Sequence, residues 1–429
     1  MEKFLGEMQN LLKDKYELFL STINDSPYKG IRINNLVVEN EKEVLDNLSF
    51  VKDKTPFASN GYYIDIDEEK IGNNIYHQVG AIYSQEPSAM SAVTLLDVQK
   101  NDIVLDLCAA PGSKTTQIAE KLCNTGLLWS NEIVKNRAQI LISNIERMGI
   151  KNAIVSNCEP DVLCNSLNSF FDKVLVDAPC SGEGMFRKDK SAIKEWSIEH
   201  VKACAVRQLK ILESAKLALK DGGTLVYSTC TFSYEENEGV IEKFLLLNPG
   251  FELVSKKRIY PFDKGEGHFA AKLIKKGNLE KTNLYSEEIK NEAVNVFLDD
   301  ILKNNNFKNI EIVKDNIYSM PFSKSSLPDF KNLGVLRAGV KIGEIKNKRI
   351  EPHHHLFRVV KKEDVKRCVN LSENDERLIK FLHGEEIDIN EDFKGYTLVS
   401  FNNMSLGFGK ASNYKLKNKY PKGMRINNG

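Results

Sequence analysis

The run Val174-Leu175-Val176-Asp177-Ala178-Pro179-Cys180-Ser181-Gly182-Glu183-Gly184 sets an acid and a cysteine on either side of a proline-stiffened turn. Buried cysteines are commonly inert small hydrophobes. One that follows Asp-Ala-Pro at the mouth of an apolar strand is expected to face a ligand instead, so Cys180 and Asp177 read as catalytic. A second cysteine, Cys230, leaves the run Gly223-Thr224-Leu225-Val226-Tyr227-Ser228-Thr229 just ahead of the acidic Glu235-Glu236-Asn237-Glu238. Thiolates are strong nucleophiles that form covalent intermediates. Two cysteines at the ends of neighbouring strands could be a disulfide, a pair of core residues, or a nucleophile and its helper. A reducing compartment argues against the first and their loop positions against the second.

Upstream, Val104-Leu105-Asp106-Leu107-Cys108-Ala109-Ala110-Pro111-Gly112-Ser113-Lys114-Thr115-Thr116 places small residues where a chain leaves a strand and enters a helix. Small side chains there let a ligand approach the backbone and meet the helix N-terminus. A phosphate-binding loop needs a Gly five residues ahead of a Gly-Lys pair, and Leu107 and Gly112-Ser113 stand here instead; the GxGxxG dinucleotide fingerprint is missing too. Glu132, closing the next strand, falls about where a ribose-binding carboxylate falls in such folds. A ligand with a ribose and no pyrophosphate is implied, and S-adenosyl-L-methionine is the obvious candidate.

These loops need a frame, and the pattern supplies one. Apolar runs at 103–107, 126–130, 153–156, 173–177 and 224–228 read as strands, and amphipathic segments at 115–122, 134–148, 197–219 and 235–247 as helices. Strands alternating with helices of this length predict an α/β fold, a doubly wound, mostly parallel sheet with its ligand at the carboxyl ends of the strands. Before it, residues 1–83 read as a small α+β domain, and 84–276 as the α/β domain. A Lys, Asn and Glu-rich stretch, 277–292, reads as a linker. Residues 293–371 and 372–429 read as two small β-containing modules.

Composition narrows the class. Hydrophobic residues make up 41% and charged residues 28% of 429 residues, which suits a globular chain of several domains. Sixty Lys plus Arg against 59 Asp plus Glu means that a polyanion would have to be gripped by local patches. The tail offers one: Lys410, Lys415, Lys417, Lys419, Lys422 and Arg425 without an acid, interleaved with Phe408, Tyr414 and Tyr420. The eight cysteines form no CxxC pair, against a zinc knuckle or disulfide framework and in favour of a cytoplasmic protein. No apolar run approaches the roughly 20 residues that span a bilayer, so no membrane association is expected. His353-His354-His355 invites a metal reading, but consecutive histidines do not converge on one ion; a turn beside an RNA-facing module is expected there, and no metal.

The three loop segments, with Tyr83-Ser84-Gln85-Glu86-Pro87-Ser88, resemble the RNA 5-methylcytosine methyltransferases of the NOL/NOP/Sun family, most closely its bacterial small-subunit ribosomal RNA branch. The resemblance is dense over 83–276 and looser in the front and tail, which are similar to the family's N-terminal domain and PUA-like RNA-binding module. It implies a class I, Rossmann-like S-adenosylmethionine methyltransferase domain, with a small α+β N-terminal domain and β-rich C-terminal domains. It assigns the nucleophile to Cys230 and release to Cys180, with Asp177 hydrogen-bonding the base. It places the cofactor against Cys108, Ala109, Ala110, Pro111, Gly112, Ser113, Lys114, Glu132 and Asp177, with Arg137 and Asn157 nearby.

The implied chemistry is coherent. Cytosine C5 is too weak a nucleophile to take a methyl group unaided, so a thiolate adds at C6 and makes the ring an enamine. A base inside a duplex cannot present C6, so the target is single-stranded, looped or flipped. Arg187 and Lys188, with Lys190 and Lys194 and the tail residues Lys415, Lys417, Lys419 and Lys422, would grip phosphates. The expected partner is ribosomal RNA, as the small subunit, and the expected state a monomer. Ser113 departs from the family's usual second Gly, and the third-strand acid is replaced within Ser156-Asn157-Cys158-Glu159-Pro160-Asp161. Three alternatives stand beside this reading: a cytosine-C5 methyltransferase of tRNA or another RNA, a DNA cytosine-C5 methyltransferase, whose nucleophile would be the Pro-Cys cysteine and which needs no Thr-Cys partner, and a non-catalytic rRNA-binding assembly factor.

Overall fold

The computed structural model describes residues 1–287 and 291–426. Glu288 to Lys290 of the expected linker and 427–429 of the expected tail module lie outside the described residues.

The all-buried run Ile103–Asp106 has no polar face to show water, so it takes the centre of a sheet and needs cover on both sides. It lies in an eight-stranded sheet ordered Phe251–Ile259, His268–Lys275, Leu219–Thr229, Phe171–Asp177, Ile103–Asp106, Leu127–Asn131, Ala153–Ser156, Val335–Ala338. The five strands from Leu219–Thr229 to Ala153–Ser156 are parallel; those outside them are antiparallel. The fold is the doubly wound α/β architecture that the alternation predicts. One apolar core, with Phe171, Leu212 and Phe244, fills one face. A second, with Ala92, Ile118 and Leu141, fills the other. Chain order reverses between Ile103–Asp106 and Phe171–Asp177, and that switch point opens a crevice at the strands' carboxyl ends.

The edge strand Val335–Ala338 comes from the module beyond residue 292, so that module completes the eight-stranded sheet. The expected linker is pinned where it is described: Lys281 Nζ reaches Asp102 (2.6 Å) and Asp172 (3.2 Å) at the edge of the sheet opposite the crevice. A four-stranded antiparallel sheet precedes the main one, its strands Lys29–Ile33, Val51–Lys54, Gly61–Ile64 and Ile82–Ser84. After it come a four-stranded sheet from Ile310 to Pro352 and a five-stranded one from Cys368 to Asn418. Cys368–Leu371 pairs with Gly395–Phe401, so the sheet begins ahead of residue 372.

The first and last sheets share a core in which Ile31, Ile33 and Val79 meet Phe381, Phe401 and Tyr420. Tyr420 Oη donates to Gln78 Oε1 across this seam (2.8 Å). His353-His354-His355 is no exposed turn. His353 caps the short helix His354–Arg358, accepting from His355 N–H, and His354 and His355 are buried in the seam. Among the described residues no His, Cys, Asp and Glu cluster could hold a metal ion, and no helix is long and apolar enough to cross a membrane.

Candidate active site

Asp177 closes its strand on the crevice, with Ser228 opposite it in the neighbouring strand. Lys114 rises to Asp177 from the first turn of Ser113–Leu122 across the switch point. Lys114 Nζ donates to Asp177 Oδ2 (2.7 Å) and Ser228 Oγ to Asp177 Oδ1 (2.8 Å). Burial pulls the Asp177 carboxyl upward, but the charge of Lys114 and the hydrogen bonds from Lys114 and Ser228 outweigh it and hold the group below the usual carboxylate range. Asp177 is therefore an ionised acceptor. His268, one residue ahead of the last pair Phe269–Thr229 of the adjoining strands, is buried, its pKa pushed down to about 3 chiefly by that burial and then by Lys114. It faces Lys114 and Asp177 as a neutral imidazole, both nitrogens unpartnered among the described residues.

The two cysteines meet at the crevice. Cys180 Sγ and Cys230 Sγ stand 3.3 Å apart, both half-buried and both free. The hydrogen bond with Cys230, then burial, pushes the Cys180 thiol well above its ordinary value. Cys180 thus keeps its proton beside a sulfur it can serve. The loops are stapled together: Gly184 N–H donates to Cys230 O (2.9 Å), Phe232 N–H to Glu183 Oε2 (2.9 Å), and the Ser181 and Thr231 hydroxyls pair at 2.9 Å. Gly184 has to be glycine, since a Cβ there would meet Gly267 O at 2.6 Å and Cys230 O at 2.9 Å. From outside, the N-terminal helices Glu2–Leu12 and Tyr16–Thr22 support both loops. Phe4 packs on Phe186 (4.9 Å between ring centroids) and Phe19 on Phe232 (5.6 Å).

The small-residue loop forms a cradle. Gly112 takes φ +117 at the start of Ser113–Leu122, where a Cβ would press Leu141 Cδ1 at 3.0 Å. Arg137 donates to Ala110 O (2.7 Å) and lies 3.5 Å from Glu132, tying the first loop to the second-strand acid. Glu132 also accepts from Val134 N–H (2.9 Å). Asn157 is spent on the backbone, donating to Glu132 O and Ile133 O. Its amide nitrogen thereby shapes the loop. Asp106 is absent from the sequence-based set. It accepts from Thr115 Oγ1 (2.7 Å), its other oxygen has no partner among the described residues, and burial raises its pKa to about 7. The signal was there: an acid ends the first strand directly ahead of the loop.

The expected phosphate contacts divide. Arg187 is not available to phosphate. It lies 3.3 Å from Glu266, donates to the Asp25 and Ser26 carbonyls, and covers the Tyr28 ring, tying the catalytic loop to the N-terminal domain. Lys188, Lys417, Lys419 and Lys422 are exposed, and Lys415 is exposed with Glu386 at 3.4 Å. The tail aromatics are not a stacking platform. Phe408 stacks on Phe357 in the core and Tyr420 is buried, leaving Tyr414 outside.

Comparison with known proteins covers nearly the whole chain. Residues 93–275 match the model of the 16S rRNA methyltransferase RsmB/F family, and 1–87 that of the N-terminal domain of 16S rRNA methyltransferase RsmF. Residues 296–357 match the RsmF rRNA methyltransferase first C-terminal domain and 368–426 the methyltransferase RsmF PUA domain. A ribosomal RNA small subunit methyltransferase F from Vibrio vulnificus is 32% identical over 98% of this chain and 96% of its own. One from Shewanella piezotolerans is 32% identical over 95% and 93%. A crystal structure of a methyltransferase homolog protein from Pyrococcus horikoshii superposes with TM-score 0.57 at 27% identity, covering 65% of this chain and 95% of that one.

Proposed function

We propose, for a chain that belongs to the 16S rRNA methyltransferase RsmB/F family, that it methylates C5 of a cytosine in small-subunit ribosomal RNA through a covalent bond between Cys230 and C6. Membership carries rRNA methylation; the cytosine chemistry is argued from the site. The observation that carries it is the pair of sulfurs 3.3 Å apart at neighbouring strand ends beside Asp177. One sulfur is needed to attack C6, and a second group beside it must assist when that bond breaks.

The cradle fits S-adenosylmethionine: Gly112 lets backbone approach, the unpaired Asp106 oxygen lines the loop, and Glu132 waits for ribose hydroxyls. The cofactor, when bound, supplies an electrophilic methyl group. The chain's residues do the rest. Asp177, held ionised by Lys114, accepts from the exocyclic amine of cytosine and orients the ring, while the Lys114 ammonium offsets negative charge that grows on the ring as C6 is attacked. Cys230 forms the bond to C6. In the elimination that follows, the C5 proton passes to solvent, the C5–H electrons form the C5–C6 double bond, and the C6–S bond breaks to leave Cys230 as a thiolate that accepts a hydrogen bond from the Cys180 thiol. The exposed Lys188, Lys415, Lys417, Lys419 and Lys422 take the phosphates of a looped or flipped strand.

The test is denaturing electrophoresis after incubation with tritiated S-adenosylmethionine and small ribosomal subunits. Cys180→Ala is expected to accumulate a slow, labelled protein–RNA band, and Cys230→Ala to give neither band nor labelled RNA. Reversed phenotypes would exchange the two roles; labelled RNA from Cys230→Ala would sink the covalent mechanism.

A further inference from the structure

The turn at Cys180 is held on one side by a helix and on the other by the segment that follows the other cysteine. Gln208, from the middle of the helix Ile198–Ala218, donates through Nε2 to Pro179 O, immediately before Cys180 (3.0 Å). The same nitrogen lies 2.8 Å from Glu236 Oε2, and that oxygen also accepts from Ser181 N–H, immediately after Cys180 (3.0 Å). Glu236 follows Cys230 by six residues, and its own carbonyl accepts from Tyr227 Oη on the Cys230 strand (2.5 Å). Both side chains are fully buried. A buried carboxyl is costly, and burial does raise the Glu236 pKa. Packing alone would be served more cheaply by an apolar residue. What the carboxylate adds is charge-assisted, directional bonding, aimed at the backbone flanking Cys180.

We infer that Glu236 and Gln208 form a clamp that fixes Cys180 against Cys230, which makes them positioning residues for the release half of the reaction. The inference rests on the assignment of release to Cys180 above. It predicts a division that a general structural role would not produce. Without the clamp the Cys180 turn loosens while Cys230, Asp177 and the cofactor cradle keep their own supports, so adduct formation persists and breakdown slows.

The experiment measures, in the full-length protein with small ribosomal subunits, the rate at which the covalent band appears and its half-life after a chase of unlabelled S-adenosylmethionine. Wild type, Cys180→Ala, Glu236→Ala, Glu236→Gln and Gln208→Leu are compared, with cofactor affinity as the check on folding. Since a shift of about 1 Å can cost ~10²-fold, Glu236→Ala and Gln208→Leu are expected to lengthen the half-life about tenfold or more, with formation rate and cofactor affinity near wild type. Glu236→Gln, which keeps an oxygen for Ser181 N–H, is expected to restore most of the release rate. Formation and release falling together would overturn the inference, as would normal release in both clamp variants while Cys180→Ala accumulates. No accumulation in Cys180→Ala would remove the underlying assignment and the clamp's role with it.

Discussion

Charge is buried in two places in this molecule, and it is used differently in each. In the crevice, Lys114 and Asp177 pair at 2.7 Å, yet Asp177 keeps 31% of its side chain exposed and faces His268, whose nitrogens have no partner among the described residues. In the seam between the first, catalytic and last domains, the buried arginines are enclosed and held by protein groups. Arg32 donates to Thr116 and pairs with Glu120, Arg147 donates to the His77 and Ile82 carbonyls, and Arg358 to the Arg147 and Ser405 carbonyls. Burial pushes both Arg147 and Arg358 down to about 10. Buried charge alone therefore does not mark a reactive site. What marks the crevice is a charged pair at an open edge, where a ligand can reach it, whereas the Arg32–Glu120 pair is sealed from solvent.

The sharpest way to break this contrast is to neutralise one member of each set. Asp177→Asn should lower the rate of methyl transfer to small subunits about 10²–10³-fold, the scale of losing a preorganised electrostatic contact. A rate within about tenfold of wild type would mean that the crevice pair, like the seam, is architectural.

Arg358→Met should do the opposite. It strands two carbonyls at about 1–3 kcal/mol each, read as a lower urea midpoint, while methylation by the folded fraction stays near wild type. Rate loss without loss of stability would couple the seam to catalysis.

Acid sharpens the same distinction. His354 and His355 are held far below the ordinary histidine pKa, first by burial, and His77 at about 3 for the same reason. Below about pH 6.5 the unfolded chain binds protons that the folded one refuses, so this stability is complete above that pH and is lost as the pH falls toward the folded values. The urea midpoint should fall by an amount equivalent to roughly 1.4 kcal/mol per pH unit for each such histidine. A midpoint unchanged between about pH 7 and pH 5 would contradict it.

The smallest effects separate the basic residues. Lys417→Ala and Lys419→Ala should each lower RNA affinity severalfold and reduce the salt slope by about one. Arg187→Ala should leave that slope unchanged and loosen the N-terminal domain, seen as faster proteolysis near Asp25. Equal salt effects from both would return Arg187 to the RNA surface.

Much of the frame was legible because its signals are local. A continuous apolar run such as Ile103–Asp106, or the amphipathic Lys135–Arg147, carries its periodicity in its own residues. Boundaries were less so. The helix expected from residue 235 begins at Glu238 because the residues ahead of it are taken up by the Cys230 loop, where Glu236 holds Ser181 and Asn237 holds Thr231. The basic tail misled in part: the strand Lys415–Asn418 alternates its faces, so Lys415 and Lys417 point outward around buried Leu416, while Phe408 and Tyr420 lie in the core. Arg187 and the three histidines misled for a related reason, since polar residues look alike in sequence whether they meet water or a neighbouring domain.

By itself the sequence determined the α/β alternation, the small-residue loop, and the presence of an acid and two cysteines at strand ends, because each depends on residues close together in the chain. Tertiary structure alone decided that the two sulfurs, fifty positions apart, stand within 3.3 Å, that Lys114 keeps Asp177 ionised, and that Glu236 and Gln208 brace Cys180. Distances and ionisation states are set by whatever chain packing brings alongside, and in a low-dielectric crevice those neighbours, not the residue type, fix the chemistry.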